Sequence, residues 1–177
     1  MLSLHPLQSI PDVEEGVARL PGSAVAVTAR TDEAFALGDS LARDIGGNPF
    51  SLADEAKPLY HAAAVFCSNY LVVVESIAEQ LFRTAGLPDP VERFAPLART
   101  ALDFALTRGP ANALTGPAAR GDAGTVARHL QALADRAPDA VQSYVALARS
   151  AATLAVQNGS LSEEGRRAVE EVLTPWR

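Results

Sequence analysis

Lysine is nearly missing from this sequence: Lys57 stands alone against 14 arginines. Cysteine is equally scarce. With Cys67 as the one thiol, the chain can form no internal disulfide and no cysteine-based metal site. Its position in an apolar run predicts a buried, inert side chain. The three histidines show no HExxH or related ligand spacing, so no metal is expected. Basic clusters are absent too, and a formal net charge of -6 with a pI near 5.0 argues against nucleic acid as a partner. The first residues, "MLSLHPLQSIP", lack the basic start and apolar core of a signal peptide. The most apolar stretch, residues 62–78, is broken by Ser68, Asn69, Glu75 and Ser76, and reads as too polar and too short to span a bilayer. A cytoplasmic protein with no membrane partner is the expectation. A Gly-rich GxGxxG phosphate turn occurs nowhere.

What the sequence does have is apolar material: 48% of its 177 residues are hydrophobic and 20% charged, enough to bury a core. Its texture changes near residue 52. Before that point, "LSLH", "AVAVTA" and "NPFSL" have strand length, and two helix candidates lie between them. The first covers residues 12–20; the second starts at Thr31, a good N-cap, and stops at Gly46-Gly47. Strand, helix, strand, helix, strand is the rhythm of a parallel α/β layer, here too small to stand alone. After residue 52 the pattern is helical throughout. One long helix is predicted to reach Ala85, and the next spans residues 90–108 with Asp89 as candidate cap. Asp122 is placed to cap another helix through Arg136, and Pro138 suits the first turn of the one after. Ser160 and Glu163 have the spacing of a capping box for the last.

The stretch "KPLYHAAAVFCSNYLVVV" carries the densest chemistry. On a helical wheel, Lys57, His61, Ala64, Ser68, Val72 and Glu75 share one stripe. Leu59, Phe66, Tyr70, Val73, Ile77 and Leu81 share the opposite one, which predicts a core-packing face. Pro58 places Lys57 at a helix start. A titratable ammonium there suits a general acid; arginine cannot serve, because it does not release its proton. Two readings of Lys57 stand side by side: a functional ammonium, or a solvated residue in an arginine-rich chain. His61 and Asn69 likewise have structural readings, as a bridge to polar neighbours and as a bond to another helix. A second constellation, "GPANALTGPAARGDAGTVARHL" (residues 109–130), gathers glycines and prolines around Thr115, Arg120 and Asp122. Such a loop can offer N–H groups, a hydroxyl and a guanidinium to an anion, or simply let helices approach closely. In a third, "SLHPLQS", His5 ends a strand at the expected carboxyl edge of a parallel sheet, where α/β folds bind ligands.

In this order and spacing, "SLHPLQS", "DEAKPLYHAAAVFCSNYLV" and "GPANALTGPAARGDAGTVARHL" resemble one family. It comprises bacterial Rossmann-like proteins whose helical C-terminal half is domain of unknown function 2520, similar to the 6-phosphogluconate dehydrogenase-like NAD(P)-dependent oxidoreductases. The resemblance covers almost the whole chain. It implies a mainly α protein: the C-terminal remnant of a Rossmann sheet over residues 1–52, then an all-helical substrate and dimerisation domain over residues 53–177. It also implies a homodimer, a small anionic oxo acid as substrate and NAD(P) as cofactor. In related dehydrogenases a Lys-x-x-x-Asn on the first long helix carries catalysis. Lys57 matches that lysine as proton donor, while His61 stands where the asparagine would be. His61 and Asn69 would then orient the substrate oxygen, Ser68 would also bind the substrate, Thr115 and Arg120 would hold its anionic end, and His5 would face the nicotinamide. Without GxGxxG, about a hundred residues of a Rossmann front half are expected to be missing. The chain would be a natural fragment, a product of a misplaced start or a truncated piece, and would bind NAD(P) poorly on its own. The alternative is a non-catalytic helical dimerisation or ligand-binding module.

Overall fold

The structure, a computed structural model, describes residues 1–176, in two compact units that divide after Glu75. The first unit holds strand β1 (Leu2–Pro6), helix α1 (Val13–Arg19), strand β2 (Ala24–Ala29), helix α2 (Asp32–Asp44) and strand β3 (Asn48–Ser51). A 3-10 turn over Asp54–Ala56 then leads into helix α3 (Lys57–Cys67) and the first turns of helix α4 (Asn69–Thr84). The three strands, α1 and α2 are those that the sequence pattern predicts.

The sheet order is β1-β2-β3. β2 and β3 are parallel, and α2 joins them while packing on both. Thr31 caps α2 by accepting a hydrogen bond from the Ala34 N–H at 3.2 Å, with Asp32 and Glu33 set against the positive end of the helix. β1 corrects the all-parallel expectation: it runs antiparallel to β2, and the Leu7 N–H extends the pairing to the Ala24 carbonyl. A parallel return needs a helix laid across the sheet. α1 has seven residues and buries only Gly16, against Ile10, while Val13 and Val17 stay exposed. It covers no sheet face, and the chain turns straight back.

Strand periodicity sorts the side chains onto two faces. Leu2, Val25 and Val27 face α2, with Val25 and Val27 fully buried. Gly38 permits this close approach, since a Cβ there would stand 2.6 Å from Val27 Cγ1 and 2.7 Å from Leu2 Cδ1. On the other face the register sets Ser3 beside Thr28, His5 beside Ala26 and Ala26 beside Phe50. Small residues there leave room above the sheet.

The second unit contains the rest of α4, then α5 (Pro90–Arg108), α6 (Pro110–Ala113), α7 (Ala123–Arg136), α8 (Val141–Gln157) and α9 (Glu163–Leu173). Its core is built from Val126, Leu130 and Leu133 of α7, Val141, Val145, Ala148 and Ala152 of α8, and Val169 and Leu173 of α9. Alanines along α8 let its neighbours approach. Arg149 ties α8 to α9 through a two-pronged pair with Glu170, at 2.8 and 2.9 Å. Asp122 caps α7 as predicted, accepting from the Thr125 N–H at 2.9 Å. Two cap predictions are corrected. Asp89 adopts a left-handed conformation and its side chain makes no cap bond, the first turn of α5 being set by Pro90 instead. Ser162, not Ser160, caps α9, because Ser160 is drawn back to the Asn158 side chain and the Ala155 carbonyl.

The helical run after β3 departs from expectation in two ways. It breaks at Ser68, whose N–H and hydroxyl both donate to the Ala64 carbonyl, at 3.1 and 2.8 Å. The face predicted to pack in the core is open: Leu59 is 79% exposed and Phe66 70%, and Tyr70 and Val73 are also exposed, while Ile77 and Leu81 do join the second unit's core. Amphipathic spacing identifies an apolar stripe without identifying what covers it. By length and composition alone, Asp54–Thr84 is long and apolar enough to cross a membrane, a property that core helices share.

Candidate functional site

The first unit carries its chemistry on the sheet face away from α2. Lys57 opens α3 with Pro58 in the first turn, so the lysine comes from a chain just leaving β3. The β3 exit is itself tied down by the Thr28 hydroxyl, which donates to the Leu52 carbonyl at 2.8 Å. The Lys57 Nζ lies 2.9 Å from the Asp54 Oδ1, and its side chain is about a third exposed. The Lys57 hydrogen bond, and then its charge, hold the Asp54 carboxyl below its ordinary range.

Three residues past Lys57, on the same side of α3, Tyr60 sets its ring edge-on to His5, 5.4 Å between centres, and 6.0 Å from Phe50. His5 also meets the His61 ring edge-on at 5.9 Å. Antiparallel pairing with Ala26 thus holds His5 under α3, and not at the carboxyl edge of a parallel sheet as the sequence predicts. A cavity of about 150 Å³ lies here, lined by Ser3, His5, Ala26, Thr28, Leu52, Lys57, Tyr60 and His61. His5 and His61 also border a larger cavity of about 330 Å³, reached by the Leu7–Ser9 segment and by Ala64, Cys67, Ser68 and Asn69. Ser68 donates to the Asn69 side-chain oxygen at 3.0 Å. Cys67 is exposed at this second cavity, a correction to the buried thiol expected from its apolar neighbours. Helix spacing turns it away from any packed layer.

Two of the residues lining the smaller cavity each carry a polar atom that is buried without a hydrogen-bond partner: His5 Nδ1 and the Tyr60 hydroxyl. Burial pushes the Tyr60 phenol up from its ordinary value, with the Cys67 thiol acting in the same direction. Neither Asp54 nor Tyr60 stands out in the sequence as functional. Asp54 could have been found from its place three residues before Lys57, the helical reach for an ion pair. Tyr60 could not, because only the sheet register brings His5 beneath it.

The structure therefore gathers Lys57, His61, His5, Ser68 and Asn69 around two adjoining cavities of one unit. Thr115 and Arg120 belong to the second unit, both exposed, in the turns between α6 and α7. The cavity of about 280 Å³ in that unit is lined instead by Leu81, His129, Leu133, Arg136, Tyr144 and their neighbours. His129 shares a 2.9 Å hydrogen bond with the Tyr144 hydroxyl there. Among the described residues, no group of three or more His, Cys, Asp or Glu is placed to hold a metal ion.

A small three-stranded sheet with its helix, followed by an array of helices, defines a Rossmann-like part joined to a helical domain. Residues 23–151 match the family described as domain of unknown function 2520 (DUF2520), and the chain belongs to that family. Two crystal structures share the fold. The protein TM1727 from Thermotoga maritima superimposes with a TM-score of 0.75 at 22% identity, over 89% of this chain and 62% of that one. A protein from Bacteroides fragilis, BF3122, named as a candidate NADP oxidoreductase, gives 0.71 at 25% identity, over 85% of this chain and 56% of its own. The chain thus spans about three-fifths of the length of these relatives. None of the curated proteins matches it.

Proposed function

We propose that the chain is the C-terminal portion of an NAD(P)-dependent oxidoreductase, akin to the 6-phosphogluconate dehydrogenase-like enzymes, that reduces a small oxo acid with Lys57 as proton donor. The observation that carries this reading is the Lys57 ammonium, paired with Asp54 at the wall of a small cavity that His5, Tyr60 and His61 share. An ammonium so placed can donate a hydrogen bond to a carbonyl oxygen and give up a proton as that oxygen gains charge. His61, Ser68 and Asn69 orient the substrate, and Thr115 and Arg120 contact its anionic end. His5 lies on the nicotinamide side. NAD(P) would supply the hydride. The residues of this chain do not fit the dinucleotide by themselves: β2 passes into α2 through Arg30-Thr31, with no glycine to receive a pyrophosphate. The cofactor site belongs to a partner segment, in keeping with a Rossmann remnant over residues 1–52 and a helical domain over residues 53–177.

The test uses the protein isolated from its own cells. NADPH and NADH oxidation is followed with a panel of 2-oxo and 3-oxo acids, and the intact mass is measured alongside. Oxidation that depends on one class of acid, by a protein heavier than 18.5 kDa, is the expected result. No acid-dependent oxidation at any mass overturns the reading.

The open stripe of α3 and α4 favours a second reading, a non-catalytic helical dimerisation module, and a cytoplasmic homodimer belongs to both. Leu59, Phe66, Tyr70 and Val73 form an apolar face whose burial against a second copy would release water at about 25 cal/mol per Å². Phe66→Asp is expected to halve the mass seen by light scattering while leaving the helical circular dichroism unchanged. A wild-type monomer, or a protein recovered with membranes, would remove the dimer from both readings.

A further inference from the structure

We infer that the cavity between β1, β2 and α3 receives the reacting end of a three-carbon oxo acid, and that Tyr60 and His5 are its hydrogen-bonding contacts beside Lys57. This rests on the reading of the chain as part of an oxo-acid reductase and deepens it, by assigning two contact residues and a substrate size.

The argument starts from the two unpartnered atoms. A buried hydroxyl or ring nitrogen without a hydrogen bond has lost its water and gained no partner, and native structures hold few of them. Here two lie in residues whose rings touch, on the wall of one cavity. Neither is forced by packing alone: a phenylalanine would fill the place of Tyr60 against His5 and Phe50 without the orphaned hydroxyl. The phenol stays protonated through the neutral range and offers a donor; His5 Nδ1 offers a donor or an acceptor according to its tautomer. Lys57 adds the one full positive charge in the lining. A phenol, an ammonium and an imidazole among the residues lining one space suit a carbonyl or carboxylate oxygen and do not suit a hydrocarbon.

Volume narrows the choice. A cavity of about 150 Å³ accommodates a molecule of roughly benzene size, about six heavy atoms. A three-carbon 2-oxo acid has that number. Ser3, Ala26 and Thr28 form the floor, and their short side chains set its depth. A branched five-carbon acid has two heavy atoms more than the three-carbon acid.

The experiment needs no nicotinamide. Pyruvate is titrated into this chain by calorimetry, with 3-methyl-2-oxobutanoate as the branched comparison, for the wild type and for Tyr60→Phe. The wild type is expected to bind pyruvate at least tenfold more tightly than the branched acid. Tyr60→Phe is expected to lose at least tenfold in pyruvate affinity, while its ligand-free melting temperature is unchanged or higher, because an unsatisfied hydroxyl has been removed. His5→Gln, which keeps polar atoms but not the ring, is expected to weaken pyruvate binding as well. Equal pyruvate affinity in Tyr60→Phe, no pyruvate binding to the wild type, or a lower ligand-free melting temperature in Tyr60→Phe would each overturn the inference. Because binding is read without hydride transfer, a failed NADPH assay beside intact, Tyr60-dependent pyruvate binding would remove the reductase reading and leave the pocket assignment standing.

Discussion

Lys57→Arg is expected to lower turnover of the active protein by about 10²–10⁴-fold, the usual range for loss of a general acid, with little change in fold. Arginine keeps the positive charge and can still pair with Asp54, but it does not release its proton in the working range of an enzyme. Substrate affinity should fall less than turnover, because the charge that attracts an anion remains. The pair with Asp54 gives the expected pH behaviour. Its carboxyl is held below the ordinary value in the folded protein, so the pair's contribution to stability is present above the unfolded pKa of about 3.9. It is lost only as pH falls through the lower, folded value. Asp54 therefore stays ionised through any neutral assay. The check is kcat against pH for the wild type and Lys57→Arg, with circular dichroism on both. Unchanged turnover in Lys57→Arg would end the acid role.

Leu130→Ala is expected to cost about 2–5 kcal/mol of stability, read from urea unfolding, because Leu130 is fully buried where α7, α8 and α9 meet. Val126, Val169 and Leu173 around it are also fully buried, and the stripe of alanines on α8 leaves little side chain free to move into the space. A helical array of this kind collapses poorly around a lost leucine. Leu106→Ala on α5 is the comparison, since Leu106 is 78% exposed; its loss should stay within about 0.5 kcal/mol. Equal losses in the two variants would show that the core is not centred on Leu130.

Which parts of this protein could be read in advance follows from the range of the forces involved. Strand and helix positions were legible because caps, prolines and apolar periodicity act within a few residues. Thr31, Asp122 and Pro138 did what their side chains dictate locally. Lys57 was legible as the one titratable cation at a helix start. Its partner Asp54, three residues away, was equally local and could have been found. The cap of α9 was misread by two residues because Ser160 and Ser162 both satisfy local rules, and only the fold of the preceding turn chooses between them.

The rest depended on contacts that no short window contains. The antiparallel return of β1 was decided by whether α1 could cover the sheet, and that register alone put His5 under Tyr60. An amphipathic pattern on α3 and α4 specified an apolar stripe, whereas its exposure depended on which elements reach it within the chain. Thr115 and Arg120 lay in a loop whose composition suits an anion, but composition carries no information about distance from Lys57. By itself the sequence determined the elements, their order and the one lysine at a helix start, through interactions a turn or a strand long. The tertiary structure decided the strand direction, the cavity and the two unpartnered atoms in its wall, because each is a product of residues dozens of positions apart.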